Sequence, residues 1–230
     1  MSVTIGGIQT FTTIDYPGKL AAVLFCQGCG WCCPYCHNPD LQPVENKNAV
    51  PWEQVSAFLD SRRGLLDAIV FSGGEPLLQK GLKDAVLAVK EKGFSVGLHT
   101  SGMYALRLRQ VLEHIDWVGF DVKAPFDKYA ERIALSNGQT VRDSLQTVIE
   151  SGVKLEVRTT LDPRVIGKDE LPDLAKELSG LGVKTYALQE YHSFPEEQNP
   201  PSVEDVKKYF DKDYLDEFKN LFAEFIVRRS

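Results

Sequence analysis

All five cysteines of the chain fall between positions 26 and 36, in the run Cys26-Gln27-Gly28-Cys29-Gly30-Trp31-Cys32-Cys33-Pro34-Tyr35-Cys36-His37. Thiolates bind soft metals and iron–sulfur clusters, whereas cysteines destined for disulfides are spread so as to staple distant segments. One compact group therefore points to a metal centre in a reducing compartment. Three metal patterns overlap in it. Cys26, Cys29, Cys32 and Cys36 fit the C-x2-C-x2-C-x3-C run of bacterial ferredoxins, but that arrangement calls for a second cysteine run, and the chain has none. Cys26, Cys29, Cys33 and Cys36 form two CxxC pairs of the zinc kind, set closer together than zinc knuckles usually are. Cys29, Cys33 and Cys36 form CxxxCxxC. Three thiolates leave one iron of a four-iron cluster without a protein ligand, and that iron could bind a chelating molecule and pass it an electron.

The elements that must hold such a loop are read from periodicity. Short apolar runs at 22–25, 68–71, 96–98, 117–120, 155–157 and 185–188 alternate with segments of helical spacing. Val55, Phe58 and Leu59 follow Pro51, which can open a helix. Leu82, Val86 and Val89 make a second face, and Leu108, Val111 and Leu112 a third. Val141, Leu145 and Val148 form a fourth, and Leu171, Leu174, Leu178 and Leu181 a fifth. Six strands alternating with five helices predict parallel pairing with right-handed crossovers, in an open doubly wound sheet or in a β/α barrel, complete or partial. Two acidic helical stretches follow, beginning after Ser202 and Asp213, and then an apolar end over 221–227. The Pro/Glu-rich segment 194–201 is expected to be a surface loop, and no linker separates independent domains.

The 230 residues suffice for one such domain, and 43% apolar with 25% charged residues is an ordinary globular composition. The formal charge is −6, with no run of Lys and Arg, which argues against a nucleic-acid-binding face. The longest apolar stretch, 20–26, is too short for a membrane span, and the first residues lack the pattern of a secretory signal. A cytoplasmic protein is expected.

Further polar residues stand where the expected strands stop. Run 68–71 leads into Ser72-Gly73-Gly74-Glu75-Pro76, which alone reads as turn geometry. Run 96–98 leads into His99-Thr100-Ser101-Gly102, and run 117–120 into Asp121-Val122-Lys123. Glu156 and Arg158 share one face of their strand, facing either inward or, on an edge strand, solvent. The last run ends in Gln189-Glu190-Tyr191-His192. In parallel β/α architectures the active site assembles at the carboxyl ends of strands, and Cys29–Cys36, Gly73–Glu75, Asp121–Lys123 and His192 are all expected at that pole.

CxxxCxxC with Tyr35 before its last cysteine resembles the signature of radical S-adenosylmethionine (SAM) enzymes. With Asp15-Tyr16-Pro17-Gly18-Lys19, Gln27-Gly28-Cys29 and Pro34-Tyr35-Cys36-His37-Asn38-Pro39 around it, the chain is similar to the activases of glycyl radical enzymes. The likeness is strongest to the anaerobic ribonucleoside-triphosphate reductase activating proteins, with pyruvate formate-lyase activating enzymes as near relatives, and it runs through His192. The resemblance implies a single-domain α/β fold over 1–230, a partial (β/α)6 TIM-like barrel with its cluster loop at 26–38 and a helical tail at about 202–230. It implies that Cys29, Cys33 and Cys36 ligate a [4Fe-4S] cluster. It further implies that Tyr35, Cys36, His37, Gly73, Gly74, Glu75, Asp121, Val122, Lys123 and His192 form the cofactor site. Gly73–Glu75 would receive the amino group of SAM, and Lys123 its carboxylate.

In the pyruvate formate-lyase-activating branch an Asp precedes the Thr of the third motif and helps hold a monovalent cation. His99 stands there in this chain, so that cation site is not carried over. Relatives usually have other residues at the positions of Cys26 and Cys32; a buried strand-end thiol is the plain expectation for Cys26. The implied reaction is reductive cleavage of SAM to methionine and a 5′-deoxyadenosyl radical, which takes a hydrogen atom from a glycine of a partner enzyme. Clusters span roughly −700 to +450 mV, and sulfonium cleavage needs the low end of that range. Reduced flavodoxin or ferredoxin is the expected electron donor, and no catalytic side chain is required beyond the cluster and SAM. Rival readings are a radical SAM enzyme acting on another glycyl radical enzyme or on a small molecule, of the deazapurine synthase type, and a non-enzymatic ferredoxin-like or zinc-binding protein.

Overall fold

Alternation along an apolar run sends successive side chains to opposite faces of a strand. In the computed structural model, which describes residues 3–194, 197 and 199–229, the first strand is β1 (Ile5–Thr12). The six expected runs follow as β2 (Ala21–Cys26), β3 (Ala68–Gly73), β4 (Ser95–Thr100), β5 (Trp117–Asp121), β6 (Lys154–Leu161) and β7 (Thr185–Glu190), and the last strand is β8 (Glu224–Arg228). All eight form one sheet in chain order, with β1 antiparallel to β2 and every later pair parallel. Between the parallel strands run α1 (Trp52–Arg62), α2 (Leu82–Glu91), α3 (Ala105–Val111), the short α4 (Tyr129–Arg132) with α5 (Gly138–Ser151), and α6 (Leu171–Leu181). The return from β7 to β8 carries α7 (Val203–Lys207) and α8 (Lys212–Lys219). The architecture is a partial β/α barrel.

Two expectations are corrected here. Among the described residues two further strands, β1 and β8, flank the six expected ones, and the tail expected to be helical ends in the second of them. Glu224–Arg228 is short and flanked by charge, so its strand form comes from pairing with β7, Thr185 opposite Glu224 through Gln189 opposite Arg228. Residues 195, 196 and 198 of the expected 194–201 loop lie outside the described residues.

Parity along the strands sorts two cores. Leu24, Phe71, Leu98, Phe120 and Val157 face the helices and meet Leu59, Val86, Leu108, Leu145 and Leu178 in the main core. The alternate residues Ala21, Val23, Ala68 and Val70 face the barrel interior, where they pack with Tyr16 and Trp117. Helix α5 is bounded chemically: the Asn137 side chain accepts from the Thr140 N–H at its start, and Gly152 takes a left-handed conformation at its end. Burial of a leucine such as Leu145, fully enclosed on α5, contributes about 1.5–3 kcal/mol.

Leu145→Ala is expected to lower the unfolding free energy by about 2–5 kcal/mol, the cost of lost burial plus a cavity. Leu106→Ala, at a position 76% exposed on α3, is expected to change it by less than about 0.5 kcal/mol. Denaturant titration of the two variants checks the assignment of faces.

Candidate functional site

The register of β2 against β3 pairs Cys26 with Gly73, so the thiol loop and the glycine turn leave the sheet side by side. They touch backbone to backbone. The Gly74 N–H donates to the Cys26 carbonyl and the Glu75 N–H to the Gly28 carbonyl, each at 2.9 Å. A Cβ on Gly74 would lie 2.4 Å from the Gly28 oxygen, and one on Gly73 would lie 2.5 Å from Cys26 backbone atoms. Gly73 also sits at φ +117°, where a side chain is strained. The two glycines are thus required by the thiol loop itself, in addition to any ligand they admit.

Gln27, 1% exposed, pins the far side of that loop. Its amide nitrogen donates to the carbonyls of Asp40 (2.9 Å) and Pro43 (2.7 Å), and its carbonyl accepts from Asn46. Trp31 packs on the ring of Tyr129 at 5.7 Å, and the Tyr129 hydroxyl accepts from the Lys123 N–H at 2.7 Å. These supports were not singled out from the sequence, because their partners lie far along the chain.

A cavity of about 320 Å³ opens at the carboxyl pole. Of the expected site residues, Cys29, Cys33, Tyr35, Cys36, His37, Gly73, Gly74, Glu75, Asp121 and Lys123 all line it, joined by Asp15, His99 and Arg158. Two expected residues are not part of that lining. Val122 is fully buried in the helix-facing core, and His192 is exposed beyond the end of β7. A larger cavity of about 530 Å³ is lined by residues at strand starts, Trp117, Lys154, Thr185 and Glu224 among them. It contains none of the cysteines, the glycine turn or Lys123.

The five thiols separate cleanly. Cys26 is fully buried in the main core, and burial pushes its thiol far up. Cys32 is exposed and pairs through its backbone with Ala134. Cys29, Cys33 and Cys36 share the cavity wall. Burial raises Cys29 to about 11 and also raises Cys33, so loading a metal here releases protons.

Glu75 is 1% exposed, and its carboxylate accepts four hydrogen bonds: from Leu77 N–H (3.0 Å), Thr100 Oγ1 (2.7 Å), Ser101 N–H (2.9 Å) and Ser101 Oγ (2.6 Å). Burial raises its pKa, and the four donors pull the other way. A carboxylate offers about four lone-pair directions, so this one is committed to the turn and to the end of β4.

Across the cavity, Asp121 Oδ1 accepts from Arg158 Nε at 3.0 Å, and Lys123 Nζ lies 3.3 Å from Asp121 Oδ2 and 5.6 Å from the Tyr35 ring centre. Burial opposes ionisation of Asp121, but Arg158 and Lys123 hold its carboxyl down to about 2. Burial would likewise lower Lys123, but Tyr35 and Asp121 hold it well above the usual value. Burial, with Arg158 adjacent, pushes His99 down to about 3. Its Nε2 lies 2.9 Å from the Asp15 carbonyl and its Nδ1 3.2 Å from Ser72 Oγ. The carbonyl can only accept, so the proton sits on Nε2 and Nδ1 accepts from Ser72. Arg158 therefore faces inward, on a strand with neighbours on both sides.

The donor set fits an iron–sulfur cluster with an attached ligand. Three thiols face one polar cavity, and the buried Tyr35 hydroxyl in its wall has no partner among the described residues, which leaves a donor for something bound. Among the described residues no group of three or more His, Cys, Asp or Glu side chains is arranged to hold a single metal ion.

The radical SAM superfamily pattern matches residues 23–178. A candidate glycyl-radical enzyme activating enzyme of Methanocaldococcus jannaschii is 37% identical over 83% of this chain and 81% of its own length. The pyruvate formate-lyase-activating enzyme of Clostridium pasteurianum is 30% identical over 82% of each chain. Among solved structures, Streptococcus suis SuiB bound to S-adenosylmethionine superposes with a TM-score of 0.69 at 12% identity, over 88% of this chain and 48% of that longer one. A domain of a pyruvate-formate lyase-activating enzyme from Bacteroides vulgatus gives 0.55 at 17% identity, over 70% of this chain and 99% of that one. The chain belongs to the radical SAM superfamily, within its group of glycyl-radical enzyme activating enzymes. It is accordingly an enzyme of oxidoreductase type whose cofactors are a [4Fe-4S] cluster and SAM. No helix among the described residues is long and apolar enough to cross a membrane.

The depressed His99 pKa has a consequence for stability. An unfolded histidine titrates near 6.5, so between that pH and about 3 the unfolded chain holds a proton that folded His99 refuses. Its effect is absent above pH 6.5, and stability falls as pH drops below it, by about 2 kcal/mol at pH 5. Thermal or denaturant unfolding at pH 7.5 and pH 5 is expected to show a smaller loss in His99→Gln than in the wild type. Equal losses would refute a neutral His99.

Proposed function

We propose that the chain activates a glycyl radical enzyme, an anaerobic ribonucleoside-triphosphate reductase, with Cys29, Cys33 and Cys36 as the cluster ligands. The observation that carries this reading is the sorting of the thiols: three line one cavity with the glycine turn and Lys123, while Cys26 and Cys32 lie outside it. Both four-cysteine patterns need Cys26, and strand parity has placed it in the core. When bound, the cluster supplies the electron that divides SAM into methionine and a 5′-deoxyadenosyl radical able to take hydrogen from a partner's glycine.

The chain's own groups bind and orient. Lys123, 16% exposed and held well above its usual pKa, pairs with the carboxylate of SAM as a compact positive charge. With the Glu75 carboxylate committed to Thr100 and Ser101, the amino group of SAM falls to the backbone edge of Gly73–Glu75. Tyr35 and His37 close the wall beside Cys36. His192 reaches the ligand only from the rim beyond β7. Hydrogen-atom transfer requires no general base, so the chain's remaining task is to exclude water and competing reactions. Residues 1–230 act as one core domain in the cytoplasm, with reduced flavodoxin or ferredoxin as electron donor. A pyruvate formate-lyase type partner is the second reading, favoured by the 30% identity to the Clostridium pasteurianum enzyme.

The test is anaerobic reconstitution with iron and sulfide, reduction in the presence of SAM, and quantification of 5′-deoxyadenosine. Wild type and Cys32→Ala are expected to form the product at rates within about threefold of each other. Cys29→Ala, Cys33→Ala and Cys36→Ala are expected to lose more than about 100-fold, with reduced iron content. Loss in Cys32→Ala with retention in Cys33→Ala would overturn the ligand assignment. A glycyl radical signal, appearing on a purified reductase but not on a formate-lyase-type enzyme, distinguishes the two partners.

A further inference from the structure

Arg158 projects from β6 into the cavity with a side chain only 10% exposed. Its Nε donates to Asp121 Oδ1 at 3.0 Å and its NH2 to the Gly119 carbonyl at 3.2 Å, while NH1 lies 3.3 Å from His99 Nε2. With the proton of His99 on Nε2, that last distance is a close approach rather than a hydrogen bond. The seat for the guanidinium is cut into the backbone of β5. A Cβ on Gly119 would lie 2.7 Å from Arg158 Cζ and 2.8 Å from its NH2. Residue 119 has no side chain, and the guanidinium takes that space.

The cavity wall carries three carboxylates, Asp15, Glu75 and Asp121. Glu75 is filled by four donors, and Asp15 Oδ2 accepts from Thr12 Oγ1 at 2.6 Å. Asp121 has its second oxygen 3.3 Å from Lys123 Nζ. When Lys123 turns toward a ligand carboxylate, Asp121 needs another positive charge, or two anions face each other in a poorly solvated space. Here the neighbouring strand offers neutral His99 rather than a second carboxylate, and the guanidinium already stands against Asp121, repelling any further cation.

We propose that Arg158 is the fixed counter-ion of the SAM cavity: it neutralises Asp121 in place of a monovalent metal ion and so releases Lys123 to pair with the SAM carboxylate. The proposal rests on the SAM site assigned above. Arg158 acts through Asp121 and Lys123 and is thus a positioning residue. Nothing is transferred to or from it.

The experiment is equilibrium binding of SAM to the cluster-loaded protein in KCl, NaCl or choline chloride at equal ionic strength. Wild-type affinity is expected to agree within about twofold across the three salts. Arg158→Gln is expected to bind at least about tenfold more weakly in choline chloride and to regain at least about threefold in KCl, because Asp121 then recruits the ion. Arg158→Lys, which keeps the charge, is expected to recover most of the loss. A wild type that binds SAM more than about tenfold better in KCl than in choline chloride overturns the proposal, as does an Arg158→Gln protein with unchanged affinity in choline chloride. The wild-type comparison decides the matter even where Arg158→Gln does not fold. Failure of the wild type to bind SAM in any salt would instead strike the SAM site itself.

Discussion

Two backbone hydrogen bonds, from Gly74 and Glu75 to the carbonyls of Cys26 and Gly28, fasten the thiol loop to the end of the sheet. The approach requires that residue 74 lack a Cβ, since a methyl group at Gly74 would sit 2.4 Å from the Gly28 oxygen. Because main-chain groups do the fastening, the thiol side chains of Cys29, Cys33 and Cys36 are left facing the cavity. The same constraint ties the two motifs into one unit. Parallel pairing of β2 and β3 brings Cys26 opposite Gly73, and the loop and turn that follow are held in contact wherever those strands are in register.

The interior of the barrel is divided in a way that follows from what each strand contributes. Strands β2 and β3 send in Ala21, Val23, Ala68 and Val70, which close the space with Tyr16 and Trp117. Strands β4, β5, β6 and β8 send in His99, Asp121, Glu156, Arg158 and Arg228, and charges in such a place persist only when paired. The pairing is complete: Arg158 meets Asp121, and Arg228 meets Glu156 through two contacts of 2.7 and 2.8 Å. Strand β8 is therefore more than an addition to the edge, because it brings the guanidinium without which Glu156, 3% exposed, would be a buried lone anion.

The six inner strands were legible because each carries a short apolar run on at least its helix-facing side, and because helical spacing separates them. The outer two were not. The first strand, Ile5–Thr12, carries paired glycines and a half-exposed pattern, and its pairing with β2 has shifts of register. The last reads as the apolar end of a helical tail until β7 is beside it. Among the site residues, the motifs at strand ends were legible from residue type and position. Gln27 and Trp31 were not read as supports, because each acts through partners that only folding brings close. The commitment of Glu75 to Thr100 and Ser101, 25 and 26 positions away, is of the same kind. Arg158 was left open between inward and solvent-facing, and the strands on both sides of β6 decide it.

The overlap of three cysteine patterns shows why spacing by itself could not choose among them, and what does. Cys26 is the sixth residue of β2, and parity puts it with Ala22 and Leu24 on the helix-facing side, opposite to Ala21 and Val23. The chain then leaves the sheet, so cysteines beyond it are freed from strand parity and are sorted by the turn from Cys33 to Cys36 and by the bridge between Cys32 and Ala134. A shift of one residue in the register of β2 would turn Cys26 toward the interior and Phe25 toward the helices. The packing of Leu24 and Ala22 under the helices is therefore what keeps a fourth thiol out of the cavity. What separates Cys26 from the other thiols is thus the hydrophobic pattern of its strand.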